Sequence, residues 1–130
     1  MRIIVCGSRD WEFPTIVWNA LEALADTHPN EEITIIHGDA RGADRIAGHV
    51  AEALGMEVIA VPAEWEKFGK TAGPMRNKEM LGMSPDSVLA FRSDGPSPGT
   101  DHMVKLAIRA QLPVRVIDKR GLYRDSQVTA

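Results

Sequence analysis

Four short stretches of the chain concentrate residues able to do chemistry: GSRDW (residues 7–11), HGDARGAD (37–44), PAEWEKFGKTAGPMRN (62–77) and RSDGPSPGTDH (92–102). Arg9, Arg41 and Arg76 each carry a planar guanidinium that can grip a phosphate through two parallel hydrogen bonds. Gly7, Gly38, Gly42 and Gly99 lack a Cβ, so backbone N–H groups beside them can approach an anion closely. Ser8, Asn77 and Thr100 add neutral polar groups, and Asp44 can cap a helix or hold a ribose hydroxyl. Trp65 offers a flat surface for a base, a role that competes with burial of its indole in the core. Lys70 lies where a long loop can close over a ligand. An object with phosphate, sugar and base uses all of these groups at once.

These stretches share one structural context. Short β-branched runs cover residues 2–6 (RIIVC), 33–36 (ITII), 57–61 (EVIAV), 87–91 (SVLAF) and 113–117 (PVRVI). Helical spacing of apolar residues covers 14–25, 43–54, 74–81 and 101–110. Strand and helix alternate, which predicts an α/β, Rossmann-like doubly wound sheet of about five mainly parallel strands in a single domain. The domain is expected over residues 1–118, followed by a polar, poorly ordered tail over 119–130. Each unusual stretch follows the carboxyl end of a strand, the edge at which open parallel sheets bind ligands. The opposite edge carries ordinary turns. A glycine that starts a helix also brings the partial positive charge of the helix N-terminus, as expected at Gly99 and Thr100.

Bulk composition narrows the classes. The 130 residues are 44% hydrophobic and 25% charged, ordinary for a globular domain able to bury its own core. The net charge of −3 lacks the basic footprint of a duplex nucleic-acid binder. The one cysteine, Cys6, forms no internal disulfide and reads as a buried small hydrophobe, consistent with a cytoplasmic location. No apolar run reaches membrane-spanning length, and the N-terminus lacks the length and cleavage region of a signal peptide. His37 and His102 stand in no metal-ligating spacing, so neither metal nor cofactor is expected.

Taken together, VCGSRDW, IHGDARGADRIA, PAEWEKFGKTAGPMRNKEM and GTDHMVKLA resemble the YspA-type branch of the SLOG superfamily over residues 2–117. That superfamily includes the LOG phosphoribohydrolases and the DNA-processing protein DprA. The resemblance implies a Rossmann-like domain whose strand ends bind a nucleotide or nucleotide-derived small molecule. It implies that GDARGAD contributes to that face, that Arg76 stands at the position of the LOG catalytic arginine, and that Gly99-Thr100 match the LOG phosphate loop. It also implies a homo-oligomer assembled through helices.

One departure matters. LOG enzymes carry a glutamate three residues after that threonine, and here the position is Met103. Cleavage of an N-glycosidic bond needs a carboxylate to steady the oxocarbenium-like state and activate water, which methionine cannot do. The nearest acids are Asp94 and Asp101, but the helix period turns Asp101 about 160° away from that position, and Asp39 or Asp44 could supply the acid from another loop. A sensor or carrier without chemistry is therefore the first expectation, and a hydrolase using Arg76 with Asp101 or another carboxylate the second. Binding of single-stranded DNA ranks last, because an acidic chain with 5% aromatics lacks a basic stacking groove.

Overall fold

A computed structural model describes residues 1–126. The chain forms β1 (Arg2–Gly7), α1 (Pro14–Thr27), β2 (Thr34–His37), α2 (Ala43–Ala53), β3 (Glu57–Ala60), α3 (Trp65–Phe68), α4 (Ala72–Leu81), β4 (Ser87–Phe91), α5 (Pro98–Arg109), β5 (Val114–Ile117) and β6 (Tyr123–Ser126). The sheet order is β3-β2-β1-β4-β5-β6. The first five strands run parallel and β6 is antiparallel to β5. This is the expected doubly wound α/β domain.

The two faces follow from the alternation of side chains along each strand. Ile3, Val5, Leu89 and Phe91 point to one face and pack with Val17 and Leu21 of α1 and Ala47 and Ala51 of α2. Ile4, Cys6, Val88 and Ala90 point to the other and pack with Met80 of α4 and with Met103 and Ala107 of α5. Cys6 is buried, as its composition suggested.

The structure differs from the sequence expectation at three places. β6 falls in the segment read as a polar tail, poorly ordered beyond a short extension. It has no apolar face, and cross-strand pairing holds it instead. Arg115 bonds Asp125, its direct register partner, through Nε at 2.7 Å and Nη2 at 2.9 Å, and its guanidinium lies 3.8 Å from the centre of the Tyr123 ring. Residues 127–130 of the expected tail lie outside the described residues. The long third loop holds the short helix α3 and a 3-10 turn over Gly69–Thr71, so α4 starts at Ala72. Pro74 then sits within its first turn, where no intrahelical N–H is lost. Finally, α5 starts at Pro98, a residue suited to the first helical position, which places Gly99 and Thr100 inside the first turn.

Moving outward from β1 along β2 and β3, and in the other direction along β4 and β5, the chain reverses its winding between β1 and β4. That reversal opens a crevice at the carboxyl ends of the two strands. The loops there are joined closely. The Ser8 N–H donates to Phe91 O at 2.9 Å, and the N–H groups of Trp11 and Ala43 both donate to Ser8 O at 3.2 Å. The Ser8 hydroxyl oxygen accepts the Ser93 N–H at 2.9 Å. Gly42, with φ +82°, completes the join, since a Cβ there would lie within 2.6 Å of the backbone of Ser8 and Arg9.

Gly42→Ala is therefore expected to destabilise the fold by ~3 kcal/mol in urea melts, combining left-handed strain with collision. Gly55→Ala, at φ +78° with no atom within 4 Å, should cost only ~1 kcal/mol. Equal losses in the two variants would contradict the close packing of the second loop on the first.

Candidate functional site

The crevice is a cleft of about 610 Å³, within the usual range for small-molecule sites. All four expected loops contribute to its wall. Gly7 and Arg9 come from the first, Arg41 and Asp44 from the second, Trp65, Lys70, Arg76 and Asn77 from the third, and Gly99 and Thr100 from the fourth. Four cations thus face two carboxylates, Asp10 and Asp44, in a chain whose net charge is −3. The local sign is the reverse of the global one.

Ser8, Gly38 and Gly42 stand behind the cleft and shape it. Ser8 is the buried knot described above. Gly38 makes room for Arg76, since a Cβ there would lie 2.2 Å from the guanidinium. Arg76 Nη1 donates to Gly38 O, and Nε donates to Asn77 Oδ1 at 3.1 Å. The remaining nitrogen, Nη2, has no protein partner among the described residues, so the guanidinium is oriented by two bonds with donors to spare. Burial lowers the Arg76 pKa, the negative charge of Asp44 partly opposes that, and the side chain remains a cation.

Asn77 lines the cleft, yet its amide is occupied by protein. Besides accepting from Arg76, its Nδ2 donates to Gly99 O at 3.2 Å and lies 3.0 Å from His102 Nδ1. It ties α4 to the first turn of α5. His102, weighed in the sequence only as a metal ligand, also lines the cleft. Its pKa is lowered by burial and by the cations Lys78, Arg109 and Lys105, which favours the neutral ring that accepts the Asn77 N–H. Nothing in its spacing signals this role, which depends on the pairing of two helices.

In the fourth loop, the Ser97 hydroxyl donates to Thr100 Oγ1 at 2.7 Å and makes no cap bond. The N–H groups of Gly99 and Thr100 belong to the first turn, where a helix supplies them no acceptor. A Cβ on Gly99 would meet nothing within 4 Å. Packing therefore does not require glycine there, although glycine weakens a helix by about 1 kcal/mol relative to alanine.

Trp65 is 47% exposed, so of its two readings the core is excluded. Its ring rests against Gly73, where a Cβ would stand 3.1 Å from Cη2, and the Arg9 guanidinium lies 5.6 Å from its centre. An aromatic face with a cation beside it is available in the cleft.

The carboxylates are placed differently from one another. Asp101 does not line the cleft. Arg92 grips it through Nε at 2.8 Å and Nη2 at 3.1 Å and holds its pKa below the ordinary value, while Arg92 Nη1 also bonds Ser93 O and Gly95 O. Asp101 thus secures the fourth loop. Met103 is fully buried in the core between α5 and the sheet. Asp39 adopts φ +56° and pairs with Arg45. Of the two carboxylates that line the cleft, Asp10 is exposed and Asp44 is buried.

Asp44 is 6% exposed and lies in the first turn of α2. Its Oδ2 accepts the N–H groups of Gly38 at 3.1 Å and Ala40 at 3.3 Å. Its Oδ1 makes no hydrogen bond in the protein, and no fully buried side-chain oxygen among the described residues lacks a partner, so Oδ1 is reached from the cleft. Burial raises its pKa from 3.8 to about 6, outweighing the lowering by the Ala40 N–H, the Arg76 charge and the Gly38 N–H.

A carboxyl that is more basic folded than unfolded stabilises the native state most below pH ~4. That contribution is lost as pH rises through about 6. Asp44→Asn keeps an oxygen for both N–H groups and removes the buried charge. Relative to the parent, this variant should gain stability progressively between pH 4 and 7, reaching ~2–3 kcal/mol. Asp44→Ala should lose stability, having stranded two donors. A parent-to-Asn difference that stays flat with pH in denaturant melts would contradict the assigned burial.

Residues 1–68 match a family model described as YAcAr, the YspA, cpYpsA-related SLOG family. That span holds the first two loops and Trp65. The chain is also 40% identical over 118 residues to the Gene 61 protein of Mycobacterium phage D29, covering 87% of this chain and 93% of that protein. No solved structure matches the chain.

Proposed function

The chain belongs to the YspA, cpYpsA-related SLOG family, and from that premise we propose that its cleft binds a nucleotide or nucleotide-derived small molecule as a sensor or carrier. One observation carries the reading: Arg9, Arg41, Lys70, Arg76 and the first turn of α5 converge on one cleft at the β1/β4 reversal, beside the exposed face of Trp65. A phosphate is received by the Gly99 and Thr100 N–H groups and by the free nitrogen of Arg76. The base stacks on Trp65, and Asp44 Oδ1 accepts a sugar hydroxyl. Gly99 keeps the approach to the helix open. No carboxylate occupies the Met103 position, and Asp101 is held by Arg92, so the reading needs no turnover. No helix among the described residues is long and apolar enough to cross a membrane.

A second reading, hydrolysis of the N-glycosidic bond of a nucleoside monophosphate, rests on Asp44. A buried carboxyl with its pKa at about 6 and one oxygen open to the cleft can hold or release a proton near neutral pH. In that reading Arg76 anchors the phosphate and Asp44 takes the place of the glutamate.

Thermal shift against AMP, other mononucleotides, NAD and ADP-ribose, with chromatography of each incubated mixture, separates the two. A ligand at ~100 times its Kd adds about 2.7 kcal/mol, a shift of several degrees for a domain of this size. A shift with the ligand intact is the expected result, and free base in the mixture selects the hydrolase. Gly99→Ala should melt at or slightly above the parent temperature and lose most of the ligand shift. An undiminished ligand shift in that variant would remove α5 from the site.

A further inference from the structure

Three successive backbone N–H groups of the second loop are held by side chains that titrate. Asp44 Oδ2 accepts those of Gly38 and Ala40, and His37 Nδ1 accepts that of Asp39, between them, at 2.9 Å. His37 is buried at the end of β2, with its ring against α2 at Gly48, where a Cβ would stand 2.7 Å from Nε2. The bond fixes the tautomer. A ring nitrogen that accepts an N–H carries no hydrogen of its own, so the neutral ring has its proton on Nε2. A second proton can then enter only at Nδ1, where it would meet the Asp39 N–H head-on. Asp44 is under no such constraint, because Oδ1 can take a proton from the cleft while Oδ2 goes on accepting. Of the two acceptors, only His37 must release the loop when it is protonated.

We propose that His37 is a positioning residue of the cleft, whose neutral ring keeps Arg76 oriented and whose protonation weakens anion binding. The effect on binding rests on the reading that the cleft receives a phosphate; the effect on the loop does not. The path is one peptide group long. Arg76 Nη1 donates to the carbonyl of Gly38, and that carbonyl shares its peptide plane with the Asp39 N–H. His37 thus grips one edge of the plane and Arg76 the other, and rotation of the plane moves both bonds together. Backbone preference does not hold it there, since Asp39 at φ +56° sits in a region that costs a non-glycine residue ~1 kcal/mol. Burial is the largest influence on the ring and lowers its pKa below the ordinary value. Asp39 of the loop and Glu52 of α2 oppose this, while His49 and Arg45 of α2 add to it. Across the peptide stand Arg76 and Asp44. The ring is therefore neutral at pH 7. Its hold is complete above pH ~6.5 and is lost as pH falls through the ring's own, lower pKa.

Ligand-free NMR across about pH 8 to 5 tests the loop, within the range where histidine titrates. The Asp39 amide and the Arg76 Nε–H should shift together, with the same midpoint as the His37 ring carbons. An Asp39 amide that moves with another midpoint, or not at all, overturns the proposal. These midpoints come from the parent and need no variant to fold. His37→Asn places an amide oxygen near the position of Nδ1, so it keeps the acceptor without the titration. The shift component with the histidine midpoint should be absent from that variant. With AMP as the probe, the parent's Kd should rise about tenfold more than that of His37→Asn between about pH 7.5 and 5.5, the equivalent of one lost hydrogen bond. Protonation of the AMP phosphate and of Asp44 is common to both proteins and cancels in the comparison. Equal pH dependence of AMP binding in the two proteins also overturns the proposal. If AMP binds at neither pH, the nucleotide reading loses support, and the NMR midpoints still decide the role of His37.

Discussion

Ser8 is the point on which the arrangement of the site depends. Its backbone and hydroxyl join the end of β1 to Phe91 at the end of β4, to Ala43 at the start of α2 and to Ser93 in the last loop. Two segments distant in sequence, residues 91–93 and the start of α2, are thereby fixed to one residue at the place where the sheet reverses its winding. The join is possible only because Gly7 and Gly42 carry no side chains: a Cβ on Gly7 would lie 2.3 Å from Phe91 O. Hydrogen bonding and steric exclusion thus set the same geometry, and the cleft walls inherit it.

Around that join, each loop uses one polar group to hold another. Asp44 restrains the backbone of the second loop, Gly38 O orients Arg76, Arg76 orients Asn77, and Asn77 reaches the first turn of α5. Arg92 and Asp101 close the fourth loop from outside. The chain of contacts leaves specific groups unengaged, chiefly Arg76 Nη2 and Asp44 Oδ1, while the Arg9 guanidinium stands over the exposed Trp65 ring. Preorganisation of this kind lowers the entropy cost of binding, because the donors are already directed before a ligand arrives. Asp44 is the costly member, a buried carboxyl tolerated for the backbone it holds and the oxygen it presents.

Much of this was legible in the sequence because parallel strands announce themselves as short β-branched runs, and the edge that binds ligands follows from strand direction alone. The glycine-rich loops and the arginines fell on that edge and lie together in the structure. What escaped was set by tertiary contact. The helix period turns Asp101 away from the Met103 position, but nothing local shows that Arg92 grips it or that packing places Asp44 inside the cleft. Trp65 gave two readings because its environment depends on how α3 sits against α4. β6 was invisible because YRDS has no apolar alternation and ends in Asp and Ser, residues common in turns, while its pairing rests on Arg115 meeting Asp125 across the strand gap. His102 became part of the site through the packing of α4 on α5.

The central claim is that the cleft at the β1/β4 reversal is the ligand site, with α5 receiving the phosphate and Trp65 the base. Amide-resolved NMR titration with 5′-mononucleotides and ADP-ribose tests it most directly. The account predicts that the largest perturbations fall on the Gly99 and Thr100 amides and the Trp65 indole N–H, with α1 and β5 undisturbed. Perturbations centred on α1 and β5, or none with any of these ligands, would contradict it.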